Sequence, residues 1–265
     1  EPGKDIREGI DRQMNMDKET RAAPATGADP LFEEAERVVV GEDTRIPITT
    51  TTKYPFSAFG QLWSAVDDNG NWGKCSATLI SPRAVITAAH CVYSHERGGW
   101  LKDYEFYPGR DGASRAPLGK YGWTDVFILN GYIQNYKGIY GEVVPWDLAV
   151  LILDRPAGSY VGWIGYAVYD PAYQFTANIV GYPGDKPDTM WRSSCEITPV
   201  NVYDSNMDYD CDTMPGSSGS SIYDYDPISK ERRIHGINVA GAKTYNTGVR
   251  LNWAYFALVH EHAQR

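Results

Sequence analysis

With 265 residues, 42% of them hydrophobic, the chain can bury a sizeable core as one large β domain or two smaller ones. A formal net charge of −9 argues against a nucleic-acid-binding face, and no apolar run approaches the roughly 18 residues that cross a bilayer. The counts of Tyr 19, Trp 8, Gly 26 and Pro 16 favour short strands between turns over long helices.

Residues 1–37 are dense in charge (Lys4, Asp5, Arg7, Glu8) and then small and Pro-containing through Pro30; nothing there offers a core. They read as a leader or pro-segment. Glu1 is followed by neither a basic n-region nor an apolar h-region, so any signal peptide is expected to have been removed already. From Phe56 the pattern becomes strand and turn: Phe56 to Val66, a hairpin turn at Asp67–Asn71, and a long β-type stretch from Lys74 to Ala89 broken at Ser81-Pro82-Arg83. The acidic turn lacks the rest of an EF-hand pattern and reads as solvated, not as a calcium loop. Strands are predicted at Tyr104–Tyr107, Asp125–Leu129 and Leu148–Leu153. A linker at Arg155–Ser159 then leads to a second series: Tyr166–Tyr169, Asn178–Tyr182, Trp191–Val200, Met207–Cys211, Ser220–Tyr225, Ile234–Ala240 and Val249–Leu251. Asn252 to His262 is the one predicted helix, with Trp253, Phe256, Ala257 and His260 at helical spacing. Two sets of short strands plus a terminal helix predict an all-β fold of two six-stranded antiparallel barrels, about 53–155 and 160–251, with the helix at about 252–263. No internal sequence repeat is visible.

Four cysteines permit three pairings. Local pairing, Cys75 with Cys91 and Cys195 with Cys211, is favoured over four reduced thiols, since no C-x-x-C or Cys/His cluster of zinc spacing is present. Disulfides imply an oxidising compartment and a secreted protein. There is no N-x-[ST] sequon.

Three features carry chemistry. Gly216-Ser217-Ser218-Gly219 can hold a serine hydroxyl exposed on a tight turn, which alone is a common surface loop. His90 follows the β-branched run Ala84–Thr87, and Asp147 opens the apolar run Leu148–Leu153. Serine is a poor nucleophile without a base to take its proton and a carboxylate to orient that base, and the order His, Asp, Ser is one in which such a triad is built. His90, Asp147 and Ser218 are the candidates. Ser217, Ser220 and Ser221 lack flanking glycines on the right side. His95 sits in a charged loop, His235 reads as structural, and His260 and His262 lie on the helix. Asp154 begins a Pro-containing turn and reads as solvated.

Thr87-Ala88-Ala89-His90-Cys91, Asp147-Leu148-Ala149-Val150-Leu151 and Gly216-Ser217-Ser218-Gly219-Ser220 resemble the three signature blocks of the chymotrypsin-like serine proteases, and most nearly the glutamyl-endopeptidase-like branch, which uses G-x-S-G-S. Val38-Val39-Val40-Gly41 resembles that branch's mature N-terminus, which places processing between Arg37 and Val38; the similarity spans about residues 38 to 262. The resemblance implies an oxyanion hole from the backbone N–H groups of Gly216 and Ser218. It also implies an S1 pocket walled by Asp212 and Thr213 and faced by Asn238, Val239, Ala240 and Gly241. Asn238 stands where glutamate-specific members carry histidine, and Asp212 where trypsins carry their acidic pocket base. The expected protein is a monomeric secreted endopeptidase made as a zymogen. It would act on peptides or proteins, be open to proteinaceous inhibitors, need no cofactor or metal, and engage neither nucleic acid nor membrane. In this branch the ammonium of Val38 would help hold an acidic P1 side chain. An esterase and a non-catalytic binding module on the same scaffold are the rival readings.

Overall fold

The computed structural model describes residue 39, residues 41–242 and residues 244–265. The leader, together with Arg37 and Val38, lies outside the described residues. Six strands build the first barrel: β1 (Phe59–Ala65), β2 (Trp72–Leu79), β3 (Ala84–Thr87), β4 (Tyr104–Pro108), β5 (Trp123–Ile128) and β6 (Ala149–Leu153). They pair in the order β4-β1-β2-β3-β6-β5, every pair antiparallel. β3 and β6 are buried at every residue and paired on both edges, so an unbroken apolar run rather than an alternating one is what the position calls for. Phe106 of β4 exchanges two backbone hydrogen bonds, 2.9 and 3.0 Å, with Tyr121 just ahead of β5, and this closes the ring.

The second barrel follows with β7 (Phe175–Gly181), β8 (Trp191–Ile197), β9 (Asn206–Tyr209), β10 (Ser221–Tyr225), β11 (Arg232–Gly241) and β12 (Asn246–Arg250), in the order β8-β7-β10-β11-β12-β9. Its two ends, β8 and β9, are joined by the Cys195–Cys211 disulfide. Two short strands enlarge this sheet to eight: Ile46–Pro47 against β8, and Gly165–Tyr166 parallel to β11.

The architecture is the one expected from the sequence; local readings differ. The predicted strand Tyr166–Tyr169 reduces to Gly165–Tyr166, because Tyr169 turns into the second barrel's core, fully buried against Phe175. Arg155–Ser159 is no free linker: Ala157 is buried and Gly158 opens a short helix, Gly158–Val161. The terminal helix α1 (Trp253–Ala263) is capped by Asn252, whose side chain accepts from the Tyr255 N–H at 2.9 Å. Its buried face is Ala254, Tyr255, Val259 and His262, while Trp253 is 64% exposed. The helix lies against β3 and β6 of the other barrel, where His262 stacks on Phe127 at 3.7 Å, so the apolar phase is set by that contact and not by the tryptophan.

Candidate active site

β3 and β6 are neighbours with Thr87 opposite Ala149. His90 lies three residues beyond Thr87 and Asp147 two before Ala149, so antiparallel register brings both out at one end of the sheet. His90 Nδ1 lies 2.6 Å from Asp147 Oδ2, and the His90 backbone N–H donates to Asp147 Oδ1 at 2.9 Å. Asp147 has no exposed surface. A buried carboxylate must accept hydrogen bonds, and here one more comes from the Tyr140 hydroxyl to Oδ2. The same hydroxyl lies 3.1 Å from His90 Nδ1, with the two rings edge to face. Tyr132, packed nearby, has its phenol pushed up by burial and by the Asp147 charge.

The serine arrives from the second barrel. Ser218 Oγ sits 2.5 Å from His90 Nε2. Its loop, Pro215 to Ser218, has each carbonyl tied by a named donor. Gly184 N–H donates to Pro215 O at 2.6 Å and Ser76 Oγ to Gly216 O at 2.9 Å. Ser220 N–H and Asn238 Nδ2 donate to Ser217 O at 3.0 and 2.9 Å, and Ser76 N–H donates to Ser218 O at 2.7 Å. With the carbonyls held outward, the Gly216 and Ser218 N–H groups have no hydrogen-bond acceptor among the described residues. Gly216 has φ +96°, and a Cβ there would meet Tyr182 O at 2.7 Å. Gly219 has φ +80°, and a Cβ there would strike Thr87 and the Ser76 carbonyl. Both positions therefore require glycine.

Of the rival serines, Ser220 has its Oγ buried without a hydrogen-bond partner, while the others considered bond elsewhere. Ser217 Oγ accepts from Met214 N–H at 3.5 Å and Ser221 Oγ donates to Thr78 at 2.8 Å. His95 Nε2 bonds the Tyr132 carbonyl, and His235 packs against Asp224 and Tyr173.

The expected pocket-wall residues divide. Asp212 is buried and accepts from Thr44 N–H at 2.8 Å and Thr44 Oγ1 at 2.6 Å, which docks the segment after Gly41 onto the second barrel. Arg45 reinforces the docking through Asp43 and Asp185. Thr213 is buried, with its hydroxyl lacking a hydrogen-bond partner. Val239, Ala240 and Gly241 end β11 beside Ser218. Asn238 does not face a substrate cleft. It is fully buried, its amide nitrogen spent on Ser217 O and its oxygen accepting from Tyr209 OH at 2.6 Å.

A family model described as Trypsin matches residues 50–259. Glutamyl endopeptidase of Bacillus licheniformis is 31% identical over 228 residues, covering 82% of this chain and 66% of that protein. The extracellular metalloprotease of Bacillus subtilis is 30% identical over 216 residues, covering 80% and 66%. A solved structure of Glu endopeptidase in complex with MPD superposes with a TM-score of 0.73 at 26% identity, covering 86% of this chain and all of that one. The chain belongs to the trypsin family.

Within that family it falls in the glutamyl-endopeptidase branch. It spans just under two thirds, 66%, of the length of the two curated relatives. Among the described residues, one group of potential metal ligands gathers within 4.8 Å, Cys75, His90 and Cys91. Its sulfurs are joined to each other as the Cys75–Cys91 disulfide. Two residues of this site escape a reading of the sequence. Tyr140 lies in a 3₁₀ segment, Tyr140–Trp146, that reads as an irregular loop. Ser76 reads as one more strand residue, yet it sends two donors to the serine loop, N–H to Ser218 O and Oγ to Gly216 O, and its Oγ also accepts from Tyr182 N–H at 2.9 Å. The one sequence signal for Ser76 was its place next to Cys75.

Proposed function

We propose that the chain is a secreted serine endopeptidase working through an acyl-enzyme. The observation that carries this is the continuous relay from Ser218 Oγ through His90 to the buried Asp147, 2.5 and 2.6 Å long in its two links. Ser218 Oγ attacks the scissile carbonyl carbon while His90 Nε2 takes its proton, and Asp147 holds the ring and balances the imidazolium. Charge on the carbonyl oxygen is met by the N–H groups of Gly216 and Ser218. The C–N bond then breaks, His90 returns the proton to the leaving amine, and water repeats the sequence on the acyl-serine. Two disulfides and an extracellular relative support secretion. The relatives' names favour an acidic P1 residue, for which the unpartnered Thr213 hydroxyl is the remaining side-chain donor once Asn238 is committed.

Processing between Arg37 and Val38 belongs to the same proposal. Val38 precedes the docked Thr44 by six residues, so an amine freed there reaches at most roughly 20 Å from it, within range of the pocket wall at Asp212. In the test, Ser218→Ala lowers kcat by several orders of magnitude, leaving on the order of 10³–10⁴ over water. A fluorophosphonate labels Ser218 and is lost in the variant, and a chain trimmed to Val38 outperforms one retaining residues 1–37. Labelling at Ser217 or Ser220 overturns the nucleophile; equal activity of the two chains overturns the zymogen.

A further inference from the structure

The Gly216 N–H can meet a reacting carbonyl only if its peptide plane is turned the right way. Pro215 O and the Gly216 N–H belong to one planar trans peptide and point to opposite sides of the chain. The Gly184 N–H holds Pro215 O at 2.6 Å, so the Gly216 N–H is turned away from Gly184. The two loops touch directly. A Cβ on Gly184 would lie 2.9 Å from Pro215 O, and one on Gly216 would lie 3.0 Å from the Gly184 nitrogen.

Gly184 sits in the connection from β7 to β8, in a turn closed by the Lys186 N–H donating to Pro183 O at 3.0 Å. Gly184 and Asp185 are the two central residues of that turn, and both are exposed, so burial does not fix them. The docked N-terminal segment does. Arg45 grips Asp185 with both ends of its fork, Nη1 to Oδ1 at 2.8 Å and Nη2 to Oδ2 at 2.6 Å. Asp43 holds the same guanidinium from its other edge, through Nε and Nη2, each at 2.8 Å. The Arg45 side chain is 4% exposed. A planar guanidinium held in this way has little freedom left to lose, and its two-point bond fixes the carboxylate's orientation as well as its distance.

The neighbouring residue acts on the other side of the same peptide. Thr44 holds Asp212, three residues before Pro215, through its N–H and its hydroxyl. Thr44 and Arg45 thus secure both chain stretches that meet at Pro215-Gly216.

We propose that Arg45 is a positioning residue for the oxyanion hole: through Asp185 it keeps the Gly184 N–H on Pro215 O, and so keeps the Gly216 N–H aimed at the reacting carbonyl. The inference rests on the peptidase reading above. Arg45→Gln, Arg45→Lys and Asp185→Asn are compared with the parent. Asn252→Ala serves as a variant that loses stability elsewhere, since its side chain bonds Tyr255 and Asp204 and neither loop. Removing an oxyanion donor outright costs on the order of 10²–10³ in kcat, and one left in place but untethered costs less. Arg45→Gln and Asp185→Asn should each lower kcat by about 10-fold, with KM within about 2-fold of the parent. Affinity for a peptidyl trifluoromethyl ketone, which forms a tetrahedral oxyanion on Ser218, should fall by the same factor. Affinity for uncleaved peptide, read in a Ser218→Ala background, should not. Arg45→Lys keeps the charge without the fork and should recover part of the loss. The double variant Arg45→Gln/Asp185→Asn should lose no more than either single one, because both act through one link.

Hydrogen exchange reads the clamp without turnover. Exchange at the Gly184 amide should quicken in Arg45→Gln and Asp185→Asn, while exchange at the Ser76 amide, which holds Ser218 O, should not. A parent that neither cleaves peptides nor reacts with a fluorophosphonate would count against the peptidase reading, and Gly184 exchange would still decide the clamp. Parental kcat in the folded variants, or parental Gly184 exchange, overturns the positioning role. So does an equal loss of kcat in Asn252→Ala, or losses that add in the double variant.

Discussion

The first barrel contributes the histidine and carboxylate side chains of the site, and the second contributes the serine and the backbone N–H groups around it. Numbered in chain order within each barrel, the strands of both follow one closed sequence: first, second, third, sixth, fifth, fourth and back to the first. Each barrel carries a disulfide from its second strand to the segment after its third, and each bond spans a separation of 16 residues. The seams fall in different places. The first barrel closes between its fourth and fifth strands by the Phe106–Tyr121 backbone pair, the second between its second and third strands by Cys195–Cys211. A hydrogen-bonded pair such as His90 and Asp147 needs a carboxylate shielded from water and fixed on rigid strands, which the wholly buried β3 and β6 provide. Two converging N–H groups need peptide planes held from outside, which Ser76, Gly184 and Asn238 do. One topology serves both demands because the requirements fall on different loops.

The two disulfides offer the largest effect. Loops of equal size imply equal chain-entropy contributions, about 3 kcal/mol each. Replacing Cys75 and Cys91 by alanine, or Cys195 and Cys211, should therefore lower stability in urea by similar amounts. Activity should separate them. Cys91 adjoins His90, so the first pair lowers kcat, whereas Cys211 adjoins Asp212, so the second acts mainly on KM. Identical kinetic losses from the two pairs would mean that the division of labour between the barrels is not real.

Tyr140→Phe and Ser76→Ala sharpen the same division from its two sides. The first removes a hydrogen bond to a buried carboxylate, worth about 1.5–3 kcal/mol, so kcat should fall by about 10-fold or more with KM little changed. Its acid-limb pH profile should move as well, because the hydrogen bond it removes ends on the carboxylate that holds the His90 ring. The second frees the Gly216 carbonyl and should cost about 1 kcal/mol, or somewhat under 10-fold in kcat, without moving the pH profile. Should both variants shift the profile equally, Tyr140 is acting on packing and not on the carboxylate.

The motifs around His90, Asp147 and Ser218 were legible because tight-turn glycines and β-branched strands leave local marks. The repeated strand order was not, since it resides in backbone register while the side chains of the two barrels have no common pattern. Tyr140 was hidden because its contact with Asp147 depends on a 3₁₀ segment containing Pro145, which carries no helical periodicity. Asn238 was set at the pocket by the family resemblance; in the structure its amide meets Ser217 and Tyr209 in the interior, next to the register irregularity between Asn238 and Ala240. Helix α1 was found, but which of its residues are buried is decided by Phe127 and the first barrel, not by the spacing of Trp253, Phe256, Ala257 and His260.

The smallest effect concerns a feature the second barrel has alone, the docked segment from Asp43 to Pro47. Arg45, its side chain 4% exposed, is held by Asp43 at 2.8 Å and Asp185 at 2.6 Å. Hydrogen bonding to that guanidinium lowers both carboxyls below their ordinary value of 3.8. A carboxyl depressed in the folded state stabilises it fully above the unfolded pKa near 4, and the contribution is lost as pH falls through the lower folded value. Both carboxylates are about a third exposed, so the pair with Asp185 is worth no more than about 1 kcal/mol. Asp185→Asn should therefore unfold at a lower urea concentration than the parent at pH 7, and the gap should narrow as pH falls below 4. An equivalent change in the first barrel, Asp154→Asn, removes an exposed contact to Arg155 at 3.4 Å and should leave the urea midpoint unchanged across the range. A gap for Asp185→Asn that stays constant down to pH 2 would show that the clamp acts through shape and not through charge.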